Sequence, residues 1–240
     1  MVRLAELRTG ILKNANAVKK RNLRRLWILL CSAAAVVGVC HASSQAASRH
    51  LVTCLDIGDP ATKQNAECVI LTRKLLAPLP AKVVWRIESF SSAAAARGAL
   101  TPNGALVRTR GHTWLMTLDR AGKRAPGSTF VSEVGPLPIQ RAAHLELLVG
   151  EANFSDGFTR VHVHPGVEAW YVLSGAQCVE TPGRFTMISA GESMFEPSRT
   201  PMRFQSLGDK TLDALFIVVY DPKDAWTEAT DWEPIGLCGD

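Results

Sequence analysis

The sequence predicts a mainly β protein: an antiparallel β-sandwich or barrel in the C-terminal half, with a small strand-helix-strand-strand extension on its N-terminal side. Three observations support this. From about residue 128 to 221, short apolar runs (FVSEV, AHLELLV, FTRVHV, EAWYVL, RFTMIS, SMFE, MRFQSL, LDALFIVVY) alternate with Gly, Pro and Asp, the pattern of an all-β sandwich or barrel. No helical period survives over that stretch. No block returns at a fixed period, which excludes a solenoid.

In chain order, residues 1–42 read as a signal peptide. They hold eight of the 27 basic residues and one of the 22 acidic ones. The body, 43–240, is left with 19 basic and 21 acidic residues, so the formal charge of +5 belongs to the leader. Without a basic stripe on the body, a nucleic-acid partner is excluded. After Arg24-Arg25 comes an uncharged run of 15 residues, Leu26 to Cys40, whereas a membrane-spanning helix needs roughly 20. A basic region, a short apolar run and small side chains at the −3 and −1 positions of Cys40-His41-Ala42 describe a secretory leader cleaved after Ala42, with Ala46 as the alternative. The arginine pair followed by Leu26-Trp27-Ile28 also fits a twin-arginine signal. The expected location is periplasmic or secreted, the alternative an N-terminal membrane anchor; a membrane contact follows only if the leader is retained.

Residues 43–80 form a lead-in containing Cys54 and Cys68 and ending in Leu-Ala-Pro-Leu-Pro80. Of six cysteines, two fall in the leader and four remain: Cys54, Cys68, Cys178 and Cys238. An exported chain with an even count can form disulfides. Proximity favours Cys54 with Cys68, leaving Cys178 for Cys238. Residues 81–127 supply the extension: a strand at Val83–Ile87, a Ser-capped alanine helix at 93–96 ending near Gly98, and a strand pair around Gly111. Residues 128–222 form the barrel, and 223–240 a tail. Edge strands and the 81–127 unit are compatible with a homodimer.

The densest chemical cluster is Thr159-Arg-Val-His162-Val-His164-Pro165-Gly166-Val-Glu168. On a strand, residues two apart share a face, so both imidazoles point the same way. Pro165-Gly166 turns the chain, and Glu168 opens the next strand within reach of them. Two imidazoles and one carboxylate suit a divalent Zn, Fe, Mn, Ni or Cu ion with open positions.

HVHPGVE followed by AWYVLSG resembles the first motif of the cupin superfamily. Three residues separate His164 from Glu168 and six separate Glu168 from Gly175, as in that family. Four residues separate Gly157 from His162, where the family has five. Gly191 and Pro197 resemble the second motif, but Arg199 stands where the family has Gly and Met202 where it has a fourth ligand, His. The resemblance implies a small two-sheet barrel of the cupin, jelly-roll-like type, with His162, His164 and Glu168 as metal ligands inside it. It implies that Met202 lies beside the metal, as a soft ligand or an apolar wall. It leaves open an enzyme of oxygenase, isomerase or hydrolase type and a non-catalytic barrel binding a small sugar or acid without metal. Trp170, on the same strand face as Glu168, is expected to line the pocket. Glu196 and Arg203, flanking Pro197, are expected to contact a polar ligand.

Overall fold

The computed structural model describes residues 51–52, 66–154 and 157–239. The leader, Cys54 and residues 43–50 of the lead-in lie outside them. The strands run β1 (Leu51–Val52), β2 (Ala66–Leu75), β3 (Val83–Phe90), then helix α1 (Ala93–Gly98), β4 (Gly104–Thr109), β5 (His112–Asp119), β6 (Thr129–Leu137) and β7 (Glu146–Phe154). They continue with β8 (His162–Val163), β9 (Val167–Ser174), β10 (Ala176–Thr181), β11 (Arg184–Ser189), β12 (Ser193–Glu196), β13 (Arg203–Leu207), β14 (Leu212–Tyr220) and β15 (Glu228–Ala229).

The central layer is a six-stranded antiparallel sheet in the order β1-β2-β7-β14-β9-β12. Alternate side chains send its two faces into two different cores. Leu147, Val149, Val167, Ala169, Leu215, Ile217 and Val219 pack against Trp85, Ile87, Met116 and Leu118 of the four-stranded sheet β4-β5-β3-β6. Leu148, Trp170, Val172, Phe216 and Val218 face the other way, toward Val179 and Phe204 of the three-stranded sheet β11-β10-β13 and toward Met202. β14 is therefore apolar on both sides, and LDALFIVVY is a nearly unbroken hydrophobic run where a half-exposed strand would alternate. The second interface holds the cavity lined by His162, His164 and Glu168. Its two sheets face each other, but among the described residues their ladders do not close into one hydrogen-bonded barrel.

The extension forms much as its sequence dictates. The Ser92 hydroxyl accepts the Ala95 N–H at 3.2 Å and caps α1. The β4–β5 turn places Arg110 and Gly111 at φ 53° and 75°, the paired left-handed geometry that matches hairpin twist. Two strands lie differently from expectation. β2, in the lead-in, pairs with β7 along its length, covering an edge that would otherwise expose a row of unpaired backbone groups. β6, placed with the barrel by the sequence, pairs instead with β3 of the extension. Ladder partners are chosen by non-local register, which apolar alternation alone leaves undefined.

Two motif glycines are required by close approach. A Cβ on Gly166 would stand 1.8 Å from the Val219 carbonyl oxygen, so only glycine lets this turn lie against β14. Gly175, at φ 75°, turns β9 into β10 with its Cα side against the Thr211 carbonyl.

Candidate metal centre

β8 is only two residues long, and its position is set by neighbours on both sides. It pairs with β15 of the tail. His162 and Met202 form an antiparallel bridge, His162 N–H donating to the Met202 carbonyl at 3.1 Å and Met202 N–H to the His162 carbonyl at 2.9 Å. The Arg199 N–H donates to the His164 carbonyl at 2.7 Å, from a residue held at φ 59°. That left-handed conformation is where the cupin pattern has glycine, and the arginine occupies it at a steric cost of about 1–2 kcal/mol.

The expected ligands come together. His162, His164 and Glu168 are all buried, with ligand atoms within 4.8 Å of one another. The two rings stand 5.0 Å apart, nearly perpendicular. Each Nδ1 is engaged outside the cavity: His162 with the Arg160 carbonyl at 2.8 Å, His164 with the Trp226 carbonyl at 2.7 Å. A carbonyl can only accept, so each Nδ1 carries the proton, and in the neutral ring the lone pair is on Nε2. This is the outer support by which histidine ligands are oriented. His164 Nε2 and Glu168 Oε2 lie 3.3 Å apart yet lack hydrogen-bond alignment, and both atoms are buried without a partner. Donor atoms about 2.0–2.2 Å from one ion stand roughly 3.0–3.5 Å apart at angles near 90–110°. The donor set, its orphaned atoms and the 3.3 Å spacing of the His164–Glu168 pair fit a divalent metal.

Electrostatics separate the two imidazoles. Burial, reinforced by the neighbouring His164, pushes His162 down to about 4. For His164, burial acts in the same direction, but the adjacent Glu168 carboxylate and the Trp226 carbonyl outweigh it and the net shift is upward.

The three residues line a cavity of about 40 Å³ between the central and three-stranded sheets. Trp170 lines it, edge-on to Phe204 at 4.9 Å, with its indole N–H unpartnered. Met202 is fully buried in the inner apolar cluster, opposite His162 in the bridge, and is not among the cavity-lining side chains.

Glu196 and Arg203 are elsewhere. Glu196 is buried opposite Glu168 in the β12–β9 ladder, and its carboxylate is bound by Arg184 at 2.5 Å. Burial pushes its carboxyl upward, partly countered by that guanidinium. Arg203 pairs with buried Glu180 at 2.9 Å and lies over the Phe158 ring at 4.1 Å. Both contact protein groups where a ligand contact was expected, because an arginine on a neighbouring segment neutralises Glu196 and a buried glutamate claims Arg203.

Sequence reasoning missed two cavity walls. Gln177 of β10 lines the cavity with a buried, unpartnered amide nitrogen. Its signal was an amide at an alternating inward position in AQCVET. Trp226 closes the cavity from the tail, stacked on His164 at 5.5 Å. The tail is held by the Cys178–Cys238 disulfide, 60 residues apart in sequence, and by the Ile235 N–H donating to Glu180 at 2.8 Å. Cys68 is also disulfide-bonded. Nothing local in 223–240 announces a cavity wall.

Residues 153–220 match the sequence profile of the Cupin domain family. No curated protein matches the chain. Among solved structures, it is similar to a cupin superfamily protein from Desulfitobacterium hafniense, at 12% identity over 31% of this chain and 68% of that one, TM-score 0.29. It is also similar to the EutQ protein of Clostridium difficile, at 20% identity over 36% of this chain and 59% of that one, TM-score 0.27. A third is the polyketide cyclase RemF from Streptomyces resistomycificus, at 23% identity over 36% and 62%, TM-score 0.32. The chain thus spans less than two thirds of the latter two.

Proposed function

Because residues 153–220 form a cupin domain, we propose that the chain is a metal-dependent cupin that binds and acts on a small polar molecule in the cavity beneath Trp226. His162, His164 and Glu168 would hold a divalent ion. The observation that carries this reading is the orientation of the imidazoles: both Nδ1 groups are engaged by backbone carbonyls, and His164 Nε2 meets the unpartnered Glu168 Oε2. When bound, the ion supplies Lewis acidity to an oxygen-bearing molecule. The chain's own side chains do the rest. Glu168 contributes the one negative charge of the set. Trp226 and Phe204 exclude water, which strengthens every electrostatic interaction inside.

Export belongs to the same proposal. It is supported by the basic, then apolar, leader and by the Cys178–Cys238 disulfide, a bond that persists in oxidising compartments. A small-molecule-binding barrel without turnover is the second reading, favoured by Met202 opposite His162, where the cupin pattern has a fourth ligand, His.

Elemental analysis of untagged full-length protein tests the metal reading. One divalent ion per chain in the wild type, lost in His162→Ala and His164→Ala, is the expected result; a metal-free wild type with an intact fold overturns it. Turnover on a substrate panel, abolished by a chelator, separates enzyme from binding module.

A further inference from the structure

We infer that Gln177 and Trp170 complete the binding site as two neutral hydrogen-bond donors for the carboxylate group of a small monoanion bound beside the metal. This rests on the His162–His164–Glu168 metal reading and adds to it the class of ligand.

Four side chains lining one cavity carry a buried polar atom with no protein partner: His164, Glu168, Trp170 and Gln177. The first two are explained by a metal. The other two are donors: the indole Nε1 and the amide Nε2. Both residues are only 2% exposed. Buried donors are satisfied in the great majority of cases, and each one left unmade costs about 1–3 kcal/mol. The fold nevertheless places two of them on the same small cavity as the ligand cluster. Trp170 shares a face of β9 with Glu168, two residues away. Gln177 follows the Gly175 turn on β10, in the facing three-stranded sheet. The donors therefore come from two different sheets, so a molecule accepting from both lies between them.

Charge and size narrow the ligand. A divalent ion with two neutral imidazoles and one carboxylate leaves one positive charge. Among the described residues, no lysine or arginine lines the cavity. One negative charge is balanced and a second is not, which disfavours phosphate or sulfate. A cavity of about 40 Å³ holds roughly three waters. That suits formate, acetate, or the carboxylate end of a longer molecule entering past Trp226. Two donors and a cation require at least two acceptor oxygens, which a carboxylate provides.

The test uses full-length protein loaded with Co(II), titrated with acetate, formate and inorganic phosphate. Cobalt absorption and tryptophan fluorescence are the readouts, with Co(II) content measured separately. Wild type should bind acetate or formate and ignore phosphate over the same range. Gln177→Leu should retain one Co(II) per chain and lose roughly ten- to a hundredfold in acetate affinity, the worth of a hydrogen bond to a charged acceptor. Gln177→Glu should abolish acetate binding by like charge. Trp170→Phe keeps the ring, removes the N–H and should weaken acetate several-fold, giving a second reading if Gln177→Leu does not fold. Equal acetate affinity in wild type and both neutral variants, with Co(II) content unchanged, overturns the donor assignment alone. Failure of wild type to take up Co(II) overturns the metal reading as well.

Discussion

His164 and Trp226 are joined twice. The imidazole Nδ1 donates to the Trp226 carbonyl at 2.7 Å, and the indole stacks on the imidazole at 5.5 Å. The first contact needs only the backbone of residue 226, the second needs its ring. Trp226→Ala should therefore keep the tautomer of His164 and the metal stoichiometry while opening the cavity to solvent. The expected outcome is faster loss of metal to a chelator at unchanged metal content, followed by stopped-flow mixing; unchanged release would show that the ring does not close the site.

Met202 is fully buried across from His162. Truncation to alanine would mix any ligand effect with a cavity cost of about 2–5 kcal/mol. Met202→Leu conserves volume, costs less than about 1.5 kcal/mol and removes the sulfur. Zinc affinity should be unchanged, because a thioether is a poor ligand for a borderline ion. Copper(I) affinity should fall if sulfur ligates. Met202→His supplies a third imidazole as a fourth ligand and should tighten zinc. Metal competition titrations on the three proteins decide between these.

The two imidazoles should titrate in a fixed order in metal-free protein. His164 is shifted up, so its contribution to stability is present below the ordinary value of 6.5 and is lost as pH rises through its folded value. His162 is depressed to about 4, so its contribution is present above 6.5 and is lost as pH falls from there toward 4. Nitrogen-15 NMR of the rings should show His164 protonating first and His162 remaining neutral down to about pH 4. A His162 that titrates near its ordinary value would contradict the buried geometry.

The Cys178–Cys238 bond closes a loop of 60 residues, for which chain entropy predicts about 4 kcal/mol of stabilisation. Cys178→Ser should lower denaturant stability by about 2–4 kcal/mol and free the end of the tail. A larger loss of the Trp226 stack than of the barrel core, read by fluorescence against far-ultraviolet circular dichroism, is the expected pattern.

At Gly166 an added methyl group would meet the Val219 backbone at 1.8 Å. Since backbone must move, Gly166→Ala should cost at least about 1–3 kcal/mol and displace the turn between His164 and Glu168. Metal affinity and thermal stability should fall together. Full metal affinity in the variant would show that the turn has room to shift.

The His162–His164–Glu168 cluster was legible because its logic is local. His162 and His164 share a face by alternation, a Pro-Gly turn follows, and Glu168 lies within reach across it; seven consecutive residues fix the geometry. Ser92 at the start of α1 and the Gly111 turn were legible for the same reason, since caps and hairpin turns depend on neighbours a few residues away.

Tertiary structure alone decided the rest. The Trp226 carbonyl meets His164 across 62 residues, and Gln177 shares a cavity with Glu168 only because β9 and β10 belong to different sheets. Glu196 and Arg203 leave the site because Arg184 and Glu180 claim them, partners that no spacing in the sequence selects. The lead-in supplies a strand, β2, to the central sheet, and β6 joins the extension, because ladder register depends on which edges remain open once the core has formed. By itself, the sequence determined which side chains could bind a metal, since that depends on residue type and on a period of two. The path of the tail and the choice of strand partners determined what shares the cavity with them, since those depend on contacts between segments far apart in the chain.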